Sequence, residues 1–443
     1  MPDDVRHSPA LVHLGVLRPG VHPIPLAAAG LLLVAVLAVA VVRPRMVPEA
    51  AASVPAAVLA VLTGLLPWRL AVEELAALGP TVGFLAAILL LGHLAAGEGV
   101  FTAAGSVMAR ASRTDPRRLL GLVFAIGAVV TAVLSLDATV VLLTPVVFAT
   151  VRKVGVTARP HVYACTHLAN AGSLPLPVSN LTNLLVCGAV GLTFTHFALL
   201  MTGPWLAALA VEYVAFRWFF RDELPPTRHP RRRGAAGVRP GHVPVFALVT
   251  LGSTLVGFAV SSPLGIGPVW PAVLGAVTLG ARALVRRRTT TRRLVMAASP
   301  GFCVFVLGLG VTVRAVQHAG LDRLVEPLLP VSAGLAALLA MAAVAAVLAN
   351  LVNNLPAVLV LAQGLAGHPH APGLLLAALI GVNVGPNLTY VGRWRRCCGG
   401  GSCATTTPSR SWASSSAWAC SPCRQAVTAG AVALWASIRV FGA

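Results

Sequence analysis

Charge is scarce in this chain and strongly one-sided. Only 10% of its 443 residues are charged, with 33 basic against 13 acidic side chains, whereas soluble domains carry about 25%. Lysine is almost missing: Lys153 stands alone, outside any Gly-Lys-Ser/Thr context. No phosphate-cradling P-loop can be built, which excludes ATP hydrolysis by that route. The one cysteine-rich stretch, Cys397 to Cys423, has no histidine nearby, so no metal site is expected there. No cofactor is expected either. Asp3 and Asp4 precede the first apolar run, and Arg43 and Arg45 follow it. That is the reverse of a secretory signal, and it reads as a retained helix with the N-terminus outside.

What the chain has in quantity is apolar length. Its residues are 57% hydrophobic, and apolar runs recur at 24–42, 51–68, 81–97, 194–216, 242–261 and 296–313. Each is close to the roughly 20 residues that cross a hydrocarbon core. The formal net charge of +20 sits in short loops, at Arg43 and Arg45, Arg110 to Arg118, Arg152 to Arg159, Arg217 to Arg239 and Arg282 to Arg293. The loops holding Glu73 with Glu74, and Asp322 with Glu326, are poor in arginine. This asymmetry follows the positive-inside rule and suits anionic lipid headgroups, not nucleic acid. It predicts a multi-pass protein of the bacterial cytoplasmic (inner) membrane.

Threading by this rule leaves two apolar blocks that enter and leave on one side. Block 119–150 is flanked by arginines and holds Ser135, Asp137, Thr144 and Pro145 near its middle. Block 331–366 lies between weakly charged loops and holds Asn350, Asn353, Asn354 and Pro356. Each is followed by a span with a polar interruption. The first carries Asn180-Leu181-Thr182 after Pro177, and the second carries Asn387-Leu388-Thr389 after Pro386. A broken helix survives in lipid only where it packs in protein or lines a wet cavity. A pair of broken spans in corresponding halves marks a secondary transporter's binding site.

The expected fold is therefore an all-α polytopic membrane protein. It is an inverted repeat of two halves, each with a re-entrant helical hairpin and a broken transmembrane helix. Residues 1–220 form the first repeat, 221–240 a basic cytoplasmic linker and 241–392 the second repeat. Segment 393–426 is compositionally foreign, with five of the eight cysteines, three tryptophans and runs of Gly, Ser and Thr. Starting at the third base of the Gly392 codon, a GC-rich reading gives Ser-Leu-Ala-Thr-Leu-Leu-Trp, an apolar continuation. A frameshift is expected there, largely compensated before a last transmembrane helix at 427–443.

The motifs resemble a family. Ala171-Gly-Ser-Leu-Pro-Leu-Pro-Val-Ser-Asn-Leu-Thr-Asn183, Ser135-Leu-Asp137-Ala-Thr-Val-Val-Leu-Leu-Thr-Pro145, Asn353-Asn-Leu-Pro356 and Gly385-Pro-Asn-Leu-Thr-Tyr-Val-Gly392 are similar to those of the arsenite/antimonite efflux permeases. These belong to the ion transporter superfamily. The resemblance implies a permease, not an enzyme, that exchanges a small inorganic oxyacid for protons. It also brings in a soluble arsenite-stimulated ATPase as partner, and a homodimer. Two departures stand out. The hairpin tip reads Leu136-Asp137-Ala138 where Asn-Asp-Gly is usual, and Asn383 stands where an acidic residue is common. A sodium-coupled dicarboxylate or anion symporter, or a sodium–proton antiporter, remains the alternative.

Trivalent arsenic is a small uncharged trihydroxide at neutral pH, so its recognition needs donors and acceptors at short range, not fixed charge. Ser179, Asn180, Thr182, Asn183, Asn353, Asn354, Asn387 and Thr389 are the candidate binding residues, with Asn170, Ser173 and Asn383 behind them. A dicarboxylate would favour an arginine at mid-depth, and threading places none there. Asp137 is the only acidic residue threaded deep into the membrane and is the candidate coupling group. Its plainer reading is a helix cap in the hairpin. Cys165, Cys187 and Cys303 read as small buried hydrophobes, and His93 and His167 as packing histidines. Glu212 reads as a snorkelling or paired charge near the cytoplasmic end of its helix.

Overall fold

The computed structural model describes residues 23–42, 50–225, 243–261, 263–320, 332, 334–365, 368–388 and 412–442. Among them every regular element is a helix. In lipid a helix satisfies its backbone polar groups internally, and the apolar runs take that form. The first half runs α1 (Pro23–Val42), α2 (Ala50–Leu62), α3 (Trp68–Gly97), α4 (Val100–Ala111), α5 (Pro116–Leu134), α6 (Thr144–Val154), α7 (Ala158–Ala171), α8 (Leu181–Ala189) and α9 (Phe194–Phe219). The second runs α10 (Val245–Ser261), α11 (Val269–Val285), α12 (Thr291–Ala297), α13 (Pro300–His318), α14 (Leu335–Val352), α15 (Asn354–Gly364), α16 (Ala371–Val384) and α17 (Trp412–Phe441).

Among the described residues five spans are long and apolar enough to cross a membrane: Trp68–Gly97, Pro116–Leu134, Phe194–Phe219, Thr291–His318 and Leu335–Val352. Shorter apolar helices accompany them. The last helix departs from expectation, starting at Trp412 and not at 427. Part of the compositionally foreign segment is thus helical, and residues 389–411 lie outside the described set.

Both blocks expected as hairpins are interrupted, each at a residue that pays backbone strain. After α5 comes Ser135 (φ 124°, ψ 166°), then a π-helical stretch, Ala138–Leu143, leading into α6. Between α14 and α15 stands Asn353 (φ 82°, ψ 162°). Such backbone is nearly reserved for glycine, so two non-glycine residues at matching points mark deliberate breaks.

One of the buried clusters is built around α16, whose residues from Gly373 to Val384 are all buried. A helix apolar all round belongs in the interior. Its approach to α14 requires small residues. A Cβ at Gly381 would run into the Ala342 carbonyl oxygen, and one at Gly385 would come within 2.7 Å of Ala346 Cβ. Close helix contact through small residues is the usual packing in membranes.

Candidate functional site

The first break separates α7 from α8. The chain leaves the helix after Ala171, is extended at Leu176, makes one 3-10 turn at Pro177–Ser179, and is extended again at Asn180. Asn180 caps α8, its Oδ1 accepting from the Thr182 amide at 3.2 Å. The carbonyls freed by the break are closed from within the segment. Asn183 Nδ2 donates to Ser173 O (2.7 Å), Leu174 O (3.3 Å) and Leu176 O (3.0 Å). Ser173 Oγ donates to Asn170 O, and Ser179 Oγ to Ala132 O on α5. The latter bond ties this break to the first hairpin.

The second break ends α16 at Val384, with a 3-10 turn at Gly385–Leu388. Its freed carbonyls are met from outside. Cys423 Sγ, on α17, donates to Val384 O at 3.1 Å, and Asn350 Nδ2, on α14, donates to Gly385 O at 3.1 Å.

The two breaks meet through their side chains. Asn383 Oδ1 accepts from Asn180 Nδ2 (2.8 Å) and Thr182 Oγ1 (3.3 Å), while Asn383 Nδ2 donates to Asn183 Oδ1 (2.9 Å). Asn170 Nδ2 donates to Asn387 Oδ1 at 2.6 Å. Asn387 Nδ2 in turn donates to Glu212 Oε1 at 2.8 Å. Partners on opposite sides of these bonds lie about 200 residues apart in sequence and are all buried. Buried amides stay stable only when their donors and acceptors are matched. These are matched to one another.

The sequence candidates divide accordingly. Asn170, Asn180, Thr182, Asn183, Asn383 and Asn387 come together. Ser173 and Ser179 are buried next to them but are spent on backbone carbonyls. Asn353 and Asn354 are not brought in: Asn353 is exposed, and its Oδ1 accepts from the Asn354 amide at 2.7 Å. The nearby side chain that does reach the second break is Asn350. Thr389 lies outside the described residues.

Asp137 occupies a different place. It borders a cavity of about 390 Å³ together with Ser135, His93, Ile88 and Phe302. None of the paired asparagines lines that cavity. The backbone of Asp137 is itself helical (φ −66°, ψ −39°), and the Ala138 amide at the start of the second arm donates to Ser135 Oγ at 3.5 Å.

Of the two readings of Glu212, a snorkelling charge or a paired one, the first is corrected and the second holds. It is 1% exposed and sits on the buried stripe of α9 at Pro204, Ala208, Glu212 and Phe216. Its Oε1 lies 3.4 Å from His167 Nδ1. A four-residue spacing that places one carboxylate between apolar core positions was the available signal; nearness to Arg217 masked it. His167 is correspondingly more than packing, because it shares this carboxylate. Cys165 and Cys187 are buried as expected, Cys303 partly so.

With this geometry in view, comparison with known proteins is informative. The citrate transporter family profile matches residues 26–381. The chain is 31% identical over 324 residues to an arsenical pump membrane protein of Escherichia coli, covering 69% of this chain and 74% of that protein. It is 29% identical over 318 residues to the arsenical pump membrane protein of Yersinia enterocolitica, covering 69% and 74%. The crystal structure of the Alcanivorax borkumensis YdaH transporter, described as having an unusual topology, aligns with a TM-score of 0.57. The identity there is 14%, over 84% of this chain and 87% of that one, so the likeness is one of fold. The protein is a multi-pass membrane transporter of the ion transporter type and not an enzyme. By profile and by relatives alike, the chain belongs to the citrate transporter family and, within it, to the arsenical pump membrane proteins.

Proposed function

We propose that this chain exports arsenite and antimonite across the bacterial cytoplasmic membrane in exchange for protons. In this reading its N-terminus lies outside and its two halves are related by inversion. The observation that carries it is the chemistry where the breaks meet. Five asparagines and a threonine supply donors and acceptors, and among the described residues no arginine or lysine bonds to them. That inventory suits an uncharged trihydroxide and leaves a di- or tricarboxylate without its counter-charge. Arg314, on α13, is engaged elsewhere, donating from Nη1 to Gln363 Oε1 at 3.0 Å. Asp137, at the cavity, is the coupling carboxyl of this reading. A charge at that depth is costly unless it faces water or is neutralised, and a proton is what neutralises it.

Growth of an arsenite-sensitive bacterial host is the test. The gene is supplied as it stands and with the reading frame restored over 393–426. The expected result is protection against arsenite by the frame-restored gene, weakened by Asp137→Asn. Absence of protection with the protein present in the membrane, together with citrate or succinate uptake, transfers the assignment to a sodium-coupled anion symporter. Unchanged proton-driven uptake in vesicles for Asp137→Asn removes the coupling role.

A further inference from the structure

We infer that Glu212, with His167 beside it, is a second proton-exchanging site, one that controls the substrate affinity of the second break. The inference rests on the transport reading above. Glu212 is buried to 1% exposure at the end of the Asn170–Asn387 pair. Its Oε1 accepts from Asn387 Nδ2 at 2.8 Å and lies 3.4 Å from His167 Nδ1. Its Oε2 is equally buried and has no hydrogen-bond partner among the described residues. A buried carboxylate with one oxygen unsatisfied is costly, and a proton on that oxygen removes the charge that makes it so. In this inference the charged form grips Asn387 and the neutral form grips it weakly.

Other charged and titratable groups on the elements packed around Glu212 are occupied. On α9 itself, Arg217 Nη1 donates to Tyr213 Oη. On α7, Arg159 pairs with Glu223, and the His161 ring bonds to the Thr157 and Pro116 carbonyls. Tyr163 packs on Phe220, and Cys165 is buried. On α5, Arg117 donates to Leu224 O and Arg118 lies against Asp115. On α17, Cys423 bonds to Val384 O and Arg439 sits over Trp435, leaving Arg424 on the exposed side. α10 and α16 bring none. Among the described residues His167 is thus the titratable side chain that touches Glu212. Its ring meets Phe216 edge-on at 5.0 Å.

The proton accounting is simple. With Glu212 ionised, its Oε1 fixes the Asn387 amide and so orients Asn387 Oδ1 toward Asn170 and an incoming hydroxyl. When a proton arrives from the acidic side, Oε2 becomes O–H and the carboxylate charge is lost. The hold on Asn387 then slackens, and substrate leaves. Substrate binding on the other side requires that the proton depart. One proton therefore moves in for each passage of substrate out through this site, with no other reactant.

The test is antimonite binding to the purified full-length chain as a function of pH, with proton release read by an indicator dye in weak buffer. Wild-type affinity is expected to weaken about ten-fold per pH unit on the acid side of its midpoint, the slope of one linked proton. Antimonite addition should also acidify the solution. Glu212→Gln should bind weakly at every pH and release no proton. His167→Gln should move the midpoint without removing the response, and Glu223→Gln, a surface carboxyl, should behave as wild type. Pronounced pH dependence retained in Glu212→Gln overturns the inference.

Should Glu212→Gln fail to fold, a hydrophobic carbodiimide decides the matter on the unmodified protein. The neutral acid adds across a C=N bond, oxygen to carbon and proton to nitrogen, and rearranges to a stable N-acylurea. Labelling of the Glu212 peptide that rises as pH falls supports the site, and none at any pH overturns it. Wild-type chain that fails to bind antimonite yet shows this labelling counts against the substrate assignment alone.

Discussion

At the first break the exposed carbonyls of Ser173, Leu174 and Leu176 are covered by one amide, Asn183, from the next turn of the same chain. At the second, Val384 and Gly385 depend on Cys423 and Asn350, which come from two other helices. Freed backbone groups in a lipid environment must find partners somewhere, and the two choices have different consequences. A break that closes on itself keeps its shape when its neighbours move. A break held by its neighbours changes shape with them. The second is also the one joined to the buried Glu212, so the break that can rearrange is the one bonded to a titratable group. The hairpins show the same inequality. The first borders a cavity with Asp137, whereas the second leaves Asn353 exposed.

Five substitutions probe this contrast, in falling order of effect. Asn183→Ala strands three carbonyls at once, those of Ser173 and Leu174 buried and that of Leu176 partly so; at about 1–3 kcal/mol for each unsatisfied buried group, it should lower the thermal midpoint in detergent most of all. An unshifted midpoint would show that the first break does not rely on its own amide. Asn350→Ala removes one such partner from Gly385, with an expected cost of about 1–2 kcal/mol. Hydrogen exchange should quicken around Val384 to Leu388 and stay unchanged at Ser173 to Leu176. Exchange that rises equally at both would erase the distinction. Cys423→Ala takes away a weak S–H donor and should cost about 1 kcal/mol or less, again felt only at the second break. Ser135→Gly and Asn353→Gly sit at positive φ in both hairpins. Relief of strain and greater freedom of the unfolded chain nearly offset, so each should alter stability by less than about 1 kcal/mol. A large loss would mean that the side chains, not the backbone shape, make those turns.

Much of this architecture was legible in the sequence, because charge placement and hydrophobic length are the features a bilayer selects. The run expected to span at 194–216 is the helix Phe194–Phe219, and the one at 242–261 is Val245–Ser261. The breaks were legible because Pro, Gly and Asn interrupt otherwise apolar runs, and Asn180 and Asn387 do face one another's halves. Three things were not. Glu212 sits near an arginine at the end of a helix, where a charge is usually solvated; its burial is set by α7 and the second break, which local sequence does not reveal. Asn353 and Asn354 have the composition of site residues, but the hairpin turn directs Asn350 inward in their place. Cys423 lies in a stretch whose composition looks foreign, yet its thiol closes Val384, a tertiary contact invisible in composition.

Asn383 is the residue through which the two breaks bind each other, bonded at once to Asn180, Thr182 and Asn183. Equilibrium antimonite binding to purified Asn383→Ala, compared with wild type at one pH and with folding verified by thermal unfolding, is therefore the most direct measurement. The account predicts at least about a ten-fold loss of affinity, equivalent to about 1.4 kcal/mol, in a protein that still unfolds cooperatively. Wild-type affinity in the folded variant would contradict it, because the substrate would then not pass where the two breaks meet.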